Sequence, residues 1–425
     1  MKKIAVIGSG AMGLAAAWQA VKDGHDVTVF EADAVPGGMA AHTDFGGISL
    51  ERYYHFLCKS DAPTFALMEE LGAAGKIKWR PTSMAYFIGG KLYKWGDPVS
   101  LLRFPLLNIV DKIRYGAAMF LTTKRKNWDD LERISTKDWI VRSCGQKVYD
   151  LLWRPLFDLK FHDRADNISA AWTGTRIKRV GNSRKSILQE ELGYIEGGSE
   201  TLVSLLVGSI VARGGKLKMA TPVQEVLTEN GRVTGLRTAE STENFDAVIA
   251  TVPTPYVERL VPSLPEKTRA LYRRIDNIGV ACVVVKLKKS ITPHFWVNIN
   301  DADAPVPGII EFSNLRPFPD TIVYVPYYMP PDHPNFARPD SVFIAEVIAI
   351  FKKINPAITD ADLLEYRVSR LKHAQPVCVP GFAAMIPPVQ TPIAGLQIAD
   401  TCFYYPEDRG IAESVRLGAA MARNA

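Results

Sequence analysis

"IAVIGSGAMGLAAAW", residues 4–18, places an aliphatic run, three glycines spaced G-x-G-x-x-G and an alanine-rich segment in immediate succession. Ile4 to Ile7 reads as a short buried strand, Gly8 to Gly13 as a turn opening a helix through about Lys22, and Asp26 to Phe30 as a second strand. That is one βαβ unit of a parallel sheet. Gly8 permits the tight turn, Gly10 lets a pyrophosphate approach the backbone at the positive end of the helix, and Gly13 allows close packing on the strand. Ala11 and Met12 belong to the same turn and are counted with it. Glu31 ends the second strand, where a carboxylate accepts hydrogen bonds from ribose hydroxyls and disfavours a 2′-phosphate. At this point NAD and FAD both remain open.

The rest of the composition narrows the class. With 425 residues, 47% hydrophobic and 23% charged, the chain has the apolar mass for more than one core and is not disordered. A formal charge of +6 is too small and too dispersed to indicate nucleic acid. The five cysteines form no CxxC or Cys/His cluster, so no metal site is expected and a cytoplasmic setting fits. The longest apolar candidate, Leu101 to Leu121, is interrupted by Arg103, Pro105, Asp111, Lys112 and Arg114, short of the ~20 apolar residues a membrane span needs. Its basic end at Lys124, Arg125 and Lys126 also fits a helix lying at an interface, so peripheral contact with the inner face of a membrane stays open beside a core-packed helix.

Helical spacing runs from Thr64 to Leu71, then as one long stretch over residues 98–126, and again over 128–162 with an N-cap at Ser135 or Thr136. Strand patterns return at residues 235–240 and 245–253 after a helix starting near Glu200, and a largely β region is expected from Ala281 to Ile348. The final unit is a strand at 395–400 and a helix from about Ile411 to Arg423.

The stretch "VFEADAVPGGMAA", residues 29–41, separates the cofactors. Gly37 and Gly38, followed by Met39, lie just past Glu31, where bare backbone can pass close to a diphosphate. The whole pattern resembles the glycine-doublet flavoproteins, a superfamily of flavin amine oxidases, protoporphyrinogen oxidases, carotenoid desaturases and UDP-galactopyranose mutases. The resemblance implies FAD as cofactor. It extends to residues 197–238, where the backbone of Val223 would meet the adenine. It also extends to "GLQIADTCFYYPEDRGIAESVRLGAAMA", residues 395–422, where Asp400 and the turn at Gly410 and Ile411 take the places that meet FAD.

The implied fold is α/β: a doubly wound Rossmann-type FAD domain (residues 1–80, 190–277 and 388–425) with an inserted α+β substrate domain (81–189 and 278–387) made of a helical cap and a mainly antiparallel sheet. Residues 46–61, "GGISLERYYHFLCKSD", resemble the segment that crosses the flavin face in UDP-galactopyranose mutases, which makes Tyr54 and His55 the catalytic candidates, with Tyr53 beside them. That these three merely close a core edge stays equally open. Trp153, Arg176 and Tyr328 are pocket candidates, in segments that also carry Lys160, Trp172, Lys178 and Arg179; the rival reading is a cap whose basic residues face solvent. Flavin amine oxidases present a lysine on the strand before a Pro-Phe-Trp-like turn, and here residues 278–296 have the turn but no lysine before Lys286, which weighs against amine oxidation. The expected activity is FAD-dependent dehydrogenation of a hydrophobic or polycyclic small molecule by electron or hydride transfer to flavin N5, with the oligomeric state and electron acceptor left open. The alternatives are a flavin isomerase like UDP-galactopyranose mutase and a non-catalytic escort protein of the same fold.

Overall fold

The computed structural model describes residues 1–301 and 303–425. Its first layer is a five-stranded, wholly parallel sheet in the order Lys216–Lys218, Asp26–Phe30, Lys3–Ile7, Ala247–Ala250, Leu396–Ile398. Both faces are covered, as parallel strands require. Ile4 and Val6 point to helices Ala11–Lys22, Ser199–Ala212 and Ile411–Arg423, while Ala5 and Ile7 point to a three-stranded antiparallel sheet, Glu225–Glu229, Arg232–Arg237 and Thr242–Asn244. The chain reaches this sheet three times from distant positions, and Ala247–Ala250 lies between its N-terminal and C-terminal strands.

The second layer is a seven-stranded sheet in the order Leu363–Pro376, Asn277–Leu287, Thr321–Met329, Gly308–Glu311, Trp296–Ile299, Met84–Ile88, Lys91–Trp95. One pairing in it is parallel, Trp296–Ile299 with Met84–Ile88, and the rest are antiparallel. Strand Asn277–Leu287 divides its side chains by the two-residue period. Ala281, Val283, Val285 and Leu287 meet helix Asp340–Ile354, and Val280, Cys282 and Val284 meet an aromatic layer of Phe295, Phe312 and Tyr324. Val280 and Cys282 also line the central cavity, so this face positions the site.

Two expectations are corrected. The helical stretch over 98–126 is two helices, Pro98–Arg103 and Ile109–Lys124. Pro105 forces the preceding Phe104 into extended backbone (φ −66°, ψ 117°), and Asn108 recaps the chain by accepting from the Asp111 amide at 2.9 Å. The β region does not run to Ile348, because Asp340–Ile354 is a helix whose Phe343, Val347 and Phe351 bury one stripe on the sheet. Burial of each such side chain contributes about 1.5–3 kcal/mol, enough to override strand propensity in a Val/Ile-rich segment. The cap comprises Thr136–Cys144, opened by Ser135, then Gln146–Leu152, Arg154–Phe161 and Ala170–Gly181.

Candidate active site

The glycine positions form a cradle that side chains would fill. A Cβ on Gly13 would stand 1.9 Å from the Gly8 carbonyl oxygen, and Gly8 itself has φ +98°. Gly10 caps helix Ala11–Lys22 with no side-chain hydrogen bond, no acidic residue occupies the first turn, and nothing lies within 4 Å of where its Cβ would be. The helix therefore offers free amides and a positive end to an anion. Met12 packs inward rather than toward the cradle's opening, although the residue borders the cavity.

The second glycine stretch is laid directly on the first. Gly37 (φ +115°) donates its amide to the Ser9 carbonyl at 2.9 Å, and a Cβ on Gly38 (φ +58°) would stand 3.1 Å from the Gly10 Cα. Glu31 holds this arrangement from the side: one oxygen accepts from the Ser9 amide and hydroxyl, each at 2.7 Å, and the other from the Asp33 amide at 2.9 Å. A carboxylate has about four acceptor positions, so capacity remains for a hydroxyl from the cavity it borders. Val223 and Met39 line the same cavity, and the segment before Val223 is tied to the strand end by the Thr221 amide donating to the Glu31 carbonyl at 2.7 Å.

Asp400 is buried and spends both oxygens on backbone amides, Thr254 at 2.7 Å and Cys402 at 2.8 Å; burial raises its carboxyl above the ordinary range against those bonds. It thus braces two loops at the edge of the cavity. Gly410 caps the last helix with extended backbone and no side-chain bond, leaving the amides of the first turn at Ile411 free. That helix crosses the first one so closely that a Cβ on Gly418 would lie 2.2 Å from the Met12 carbonyl oxygen. Two uncapped helix N-termini, a bare glycine cradle and a ribose-compatible carboxylate on one cavity are the donor set a dinucleotide needs, so the residues fit FAD.

The cavity measures about 1970 Å³ and runs on from the cradle to the cap. Ordinary ligand pockets reach roughly 1,000 Å³, so there is room for a dinucleotide and a second molecule. Tyr53, Tyr54 and His55 all border it. Tyr54 sits edge-on to Trp296 with centroids 5.7 Å apart, and burial raises its phenol well above the ordinary range. His55 has a shielded, unpartnered Nδ1, and burial lowers the imidazole to about 4, against the charge of Glu51. It is neutral near pH 7.

Trp153, Arg176 and Tyr328 line the same cavity. The indole Nε1 of Trp153 is buried without a partner, and Arg176 lies over the Trp172 ring at 4.8 Å while pairing with Asp408. The basic residues of the cap therefore do not simply face solvent. Arg176 turns inward, Arg179 holds Asp61 through two bonds of 3.0 and 2.7 Å, and Lys178 donates to the Arg125 carbonyl at 2.7 Å. Lys286 is outside the cavity, paired with Asp320 at 3.2 Å.

Sequence reasoning missed Glu51 and Asp408. Glu51 is 2% exposed and accepts from the Ser199 amide at 3.0 Å and Arg316 at 3.1 Å, while its carbonyl takes the Tyr324 hydroxyl at 2.8 Å. Burial works to raise its carboxyl, but His42 and Arg316 outweigh that and hold it below the ordinary range. It fixes the Tyr53 to His55 segment between the two layers. No local pattern marks it, because its partners lie about 150 and 265 positions away.

The family model for flavin containing amine oxidoreductases matches residues 13–400. A zeta-carotene desaturase of Capsicum annuum is 25% identical over 320 residues, which cover 67% of this chain and 54% of that protein, so the match spans little more than half that relative's length. A zeta-carotene desaturase of Synechocystis sp. is 24% identical over 461 residues, covering 93% of this chain and 91% of that one. Among solved structures, a putative protoporphyrinogen oxidase from Exiguobacterium sp. 255-15 superposes with a TM-score of 0.77 at 18% identity, over 100% of this chain and 98% of the other, a likeness of fold. Among the described residues no helix is long and apolar enough to cross a membrane.

Proposed function

The chain belongs to the flavin containing amine oxidoreductase family, and from that premise we propose that it is an FAD-dependent dehydrogenase of a hydrophobic or polycyclic small molecule. The observation that carries this reading is one continuous cavity joining the glycine cradle to an aromatic chamber under the cap. In this reading the cofactor part comprises residues 1–80, 190–277 and 388–425, and the substrate part residues 81–189 and 278–387. Gly8, Gly10, Ala11, Met12, Gly13, Gly37, Gly38 and Met39 would surround the diphosphate, Glu31 the ribose and Val223 the adenine. Asp400, Gly410 and Ile411 would stand at the redox end, where FAD, when bound, supplies the acceptor for a hydride from a substrate carbon at N5.

The protein's own groups then orient and exclude. Trp153 and Tyr328 wall the chamber with rings, Arg176 and Asp408 fix its inner end, and neutral His55 keeps an unpartnered Nδ1. A hydrophobic substrate also fits the way the cavity opens. Phe120 and Ile187 line it and are 62% and 76% exposed, beside Leu102, Ile109, Val110, Ile113 and Leu121, all more than half exposed. Exposed Arg103, Lys124, Lys126 and Lys185 surround this apolar face, the composition of a surface resting on anionic lipid. We read the protein as cytoplasmic and peripheral to the inner face of a membrane.

Anaerobic titration of the holoenzyme with a panel of polyenes and polycyclic compounds tests the reading, with bleaching of the flavin by a member of the panel as the expected result. Conversion of UDP-galactopyranose to its ring isomer without net oxidation would replace it with the isomerase alternative.

A further inference from the structure

Lys160 is 5% exposed, yet borders the cavity. Its ammonium sits among three rings, 4.9 Å from the centroid of Tyr328 and 5.3 Å from those of Trp172 and Phe161. Rings offer a cation their faces but no lone pair, and among the described residues Lys160 has neither a hydrogen-bond acceptor nor a carboxylate. A buried ammonium in that condition is costly unless something in the cavity completes it.

Its neighbours point the same way. Arg409 also lines the cavity and has no carboxylate partner among the described residues, its guanidinium donating to the Ala374 carbonyl. Arg176 is matched by Asp408, so three basic side chains face one carboxylate. Burial, then Arg176 and Arg409, push Lys160 well below the ordinary ammonium range, with Asp408 and Cys378 opposing. An oxyanion arriving here would supply the missing partner and return the proton to Lys160.

We propose that Lys160, with Arg176 and Arg409, is a receptor for a carboxylate or phosphate group carried by the substrate. The inference deepens the reading above and rests on the cavity being the substrate site. It narrows the substrate to an amphipathic molecule, apolar along the chamber and anionic at its inner end. It also disfavours an amine, because a substrate ammonium would meet the Arg176 and Arg409 guanidiniums, with Asp408 already engaged.

Calorimetric titration of the FAD-loaded protein with 4-phenylbutyrate, phenyl phosphate and the neutral 4-phenylbutanamide tests this, run in two buffers of different ionisation heat. The expected result is at least tenfold tighter binding of one or both acids than of the amide, with proton uptake on binding. Lys160→Met is expected to erase the preference and the proton uptake at unchanged FAD content, and Lys160→Arg to keep part of the preference without the uptake. Which acid binds more tightly separates a carboxylate from a phosphate ligand. Equal binding of acids and amide, or no detectable binding of either acid, overturns the proposal. So does a Lys160→Met protein that loses FAD in step with the acid, which would assign the residue to the cofactor. Absence of FAD from the wild-type protein would instead strike the cofactor reading, while the acid-to-amide ratio can still be read by calorimetry.

Discussion

Gly13 lies so close to Gly8 that a Cβ on it would stand 1.9 Å from the Gly8 carbonyl oxygen, whereas the same atom on Gly10 meets nothing within 4 Å. The two glycines therefore serve different ends, packing and access. Gly13→Ala should destabilise the fold by roughly 1–3 kcal/mol or more, since backbone must move. Gly10→Val should cost the cofactor-free protein only about 1 kcal/mol, that of a poorer N-cap residue, because φ −65° suits valine and nothing lies within 4 Å of the Cβ, and yet block FAD binding. Urea melts of the two cofactor-free variants check this, and equal destabilisation in both would contradict it.

Glu31 ties the Ser9 amide and hydroxyl to the Asp33 amide, so its removal acts on the cradle before it acts on any ligand. Glu31→Ala should weaken FAD retention by about 1–3 kcal/mol through the unpaired amide and the lost charge. The measurement is an FAD dissociation constant by fluorescence. A change of less than threefold would show that the carboxylate is dispensable.

His55 takes up a proton near pH 6.5 in the unfolded chain but only near 4 when folded, because burial penalises the imidazolium. Its contribution is thus present above about pH 6.5 and is lost as the pH falls toward 4, with a limiting slope of about 1.4 kcal/mol per pH unit. His55→Gln should flatten the fall in melting temperature across that window. The same variant should slow substrate-driven flavin bleaching at neutral pH with its FAD content intact. Parallel melting curves for both proteins from pH 6.5 to 4 would remove His55 from the acid response.

Leu102, Ile113, Phe120 and Leu121 are each 59–66% exposed on the face where the cavity opens. Replacing all four with serine should reduce co-sedimentation with phosphatidylcholine/phosphatidylglycerol vesicles by roughly tenfold or more, from lost apolar burial alone. Raised salt should weaken what remains, through the surrounding lysines and arginines. Equal pelleting of wild type and variant would leave the apolar face without a role at lipid.

The nucleotide end was legible in the sequence because its determinants are local. The strand at Lys3–Ile7, the helix at Ala11–Lys22 and the strand at Asp26–Phe30 follow from glycine spacing and aliphatic runs. The chamber was only partly legible. Trp153, Arg176 and Tyr328 could be named as residue types, but the Arg176 to Asp408 pair joins positions 232 apart and no periodicity announces it. Strand Leu363–Pro376 mixes charged and apolar residues on both of its faces, with Leu364 and Tyr366 exposed and Glu365 and Arg367 half-buried, so no two-residue period marks it before it is paired with Asn277–Leu287. Helix Asp340–Ile354 was hidden for the opposite reason, its Val, Ile and Phe content imitating a strand.

In the proposed reading Gly8 to Gly13, Glu31, Gly37 and Gly38 together hold one FAD. FAD released per chain on denaturing the purified wild-type and Gly10→Val proteins, each after reconstitution with FAD, tests it most directly. About one FAD per wild-type chain and close to none in the variant are expected. A wild-type protein that stays colourless after reconstitution, or a variant that holds as much FAD as wild type, would contradict it.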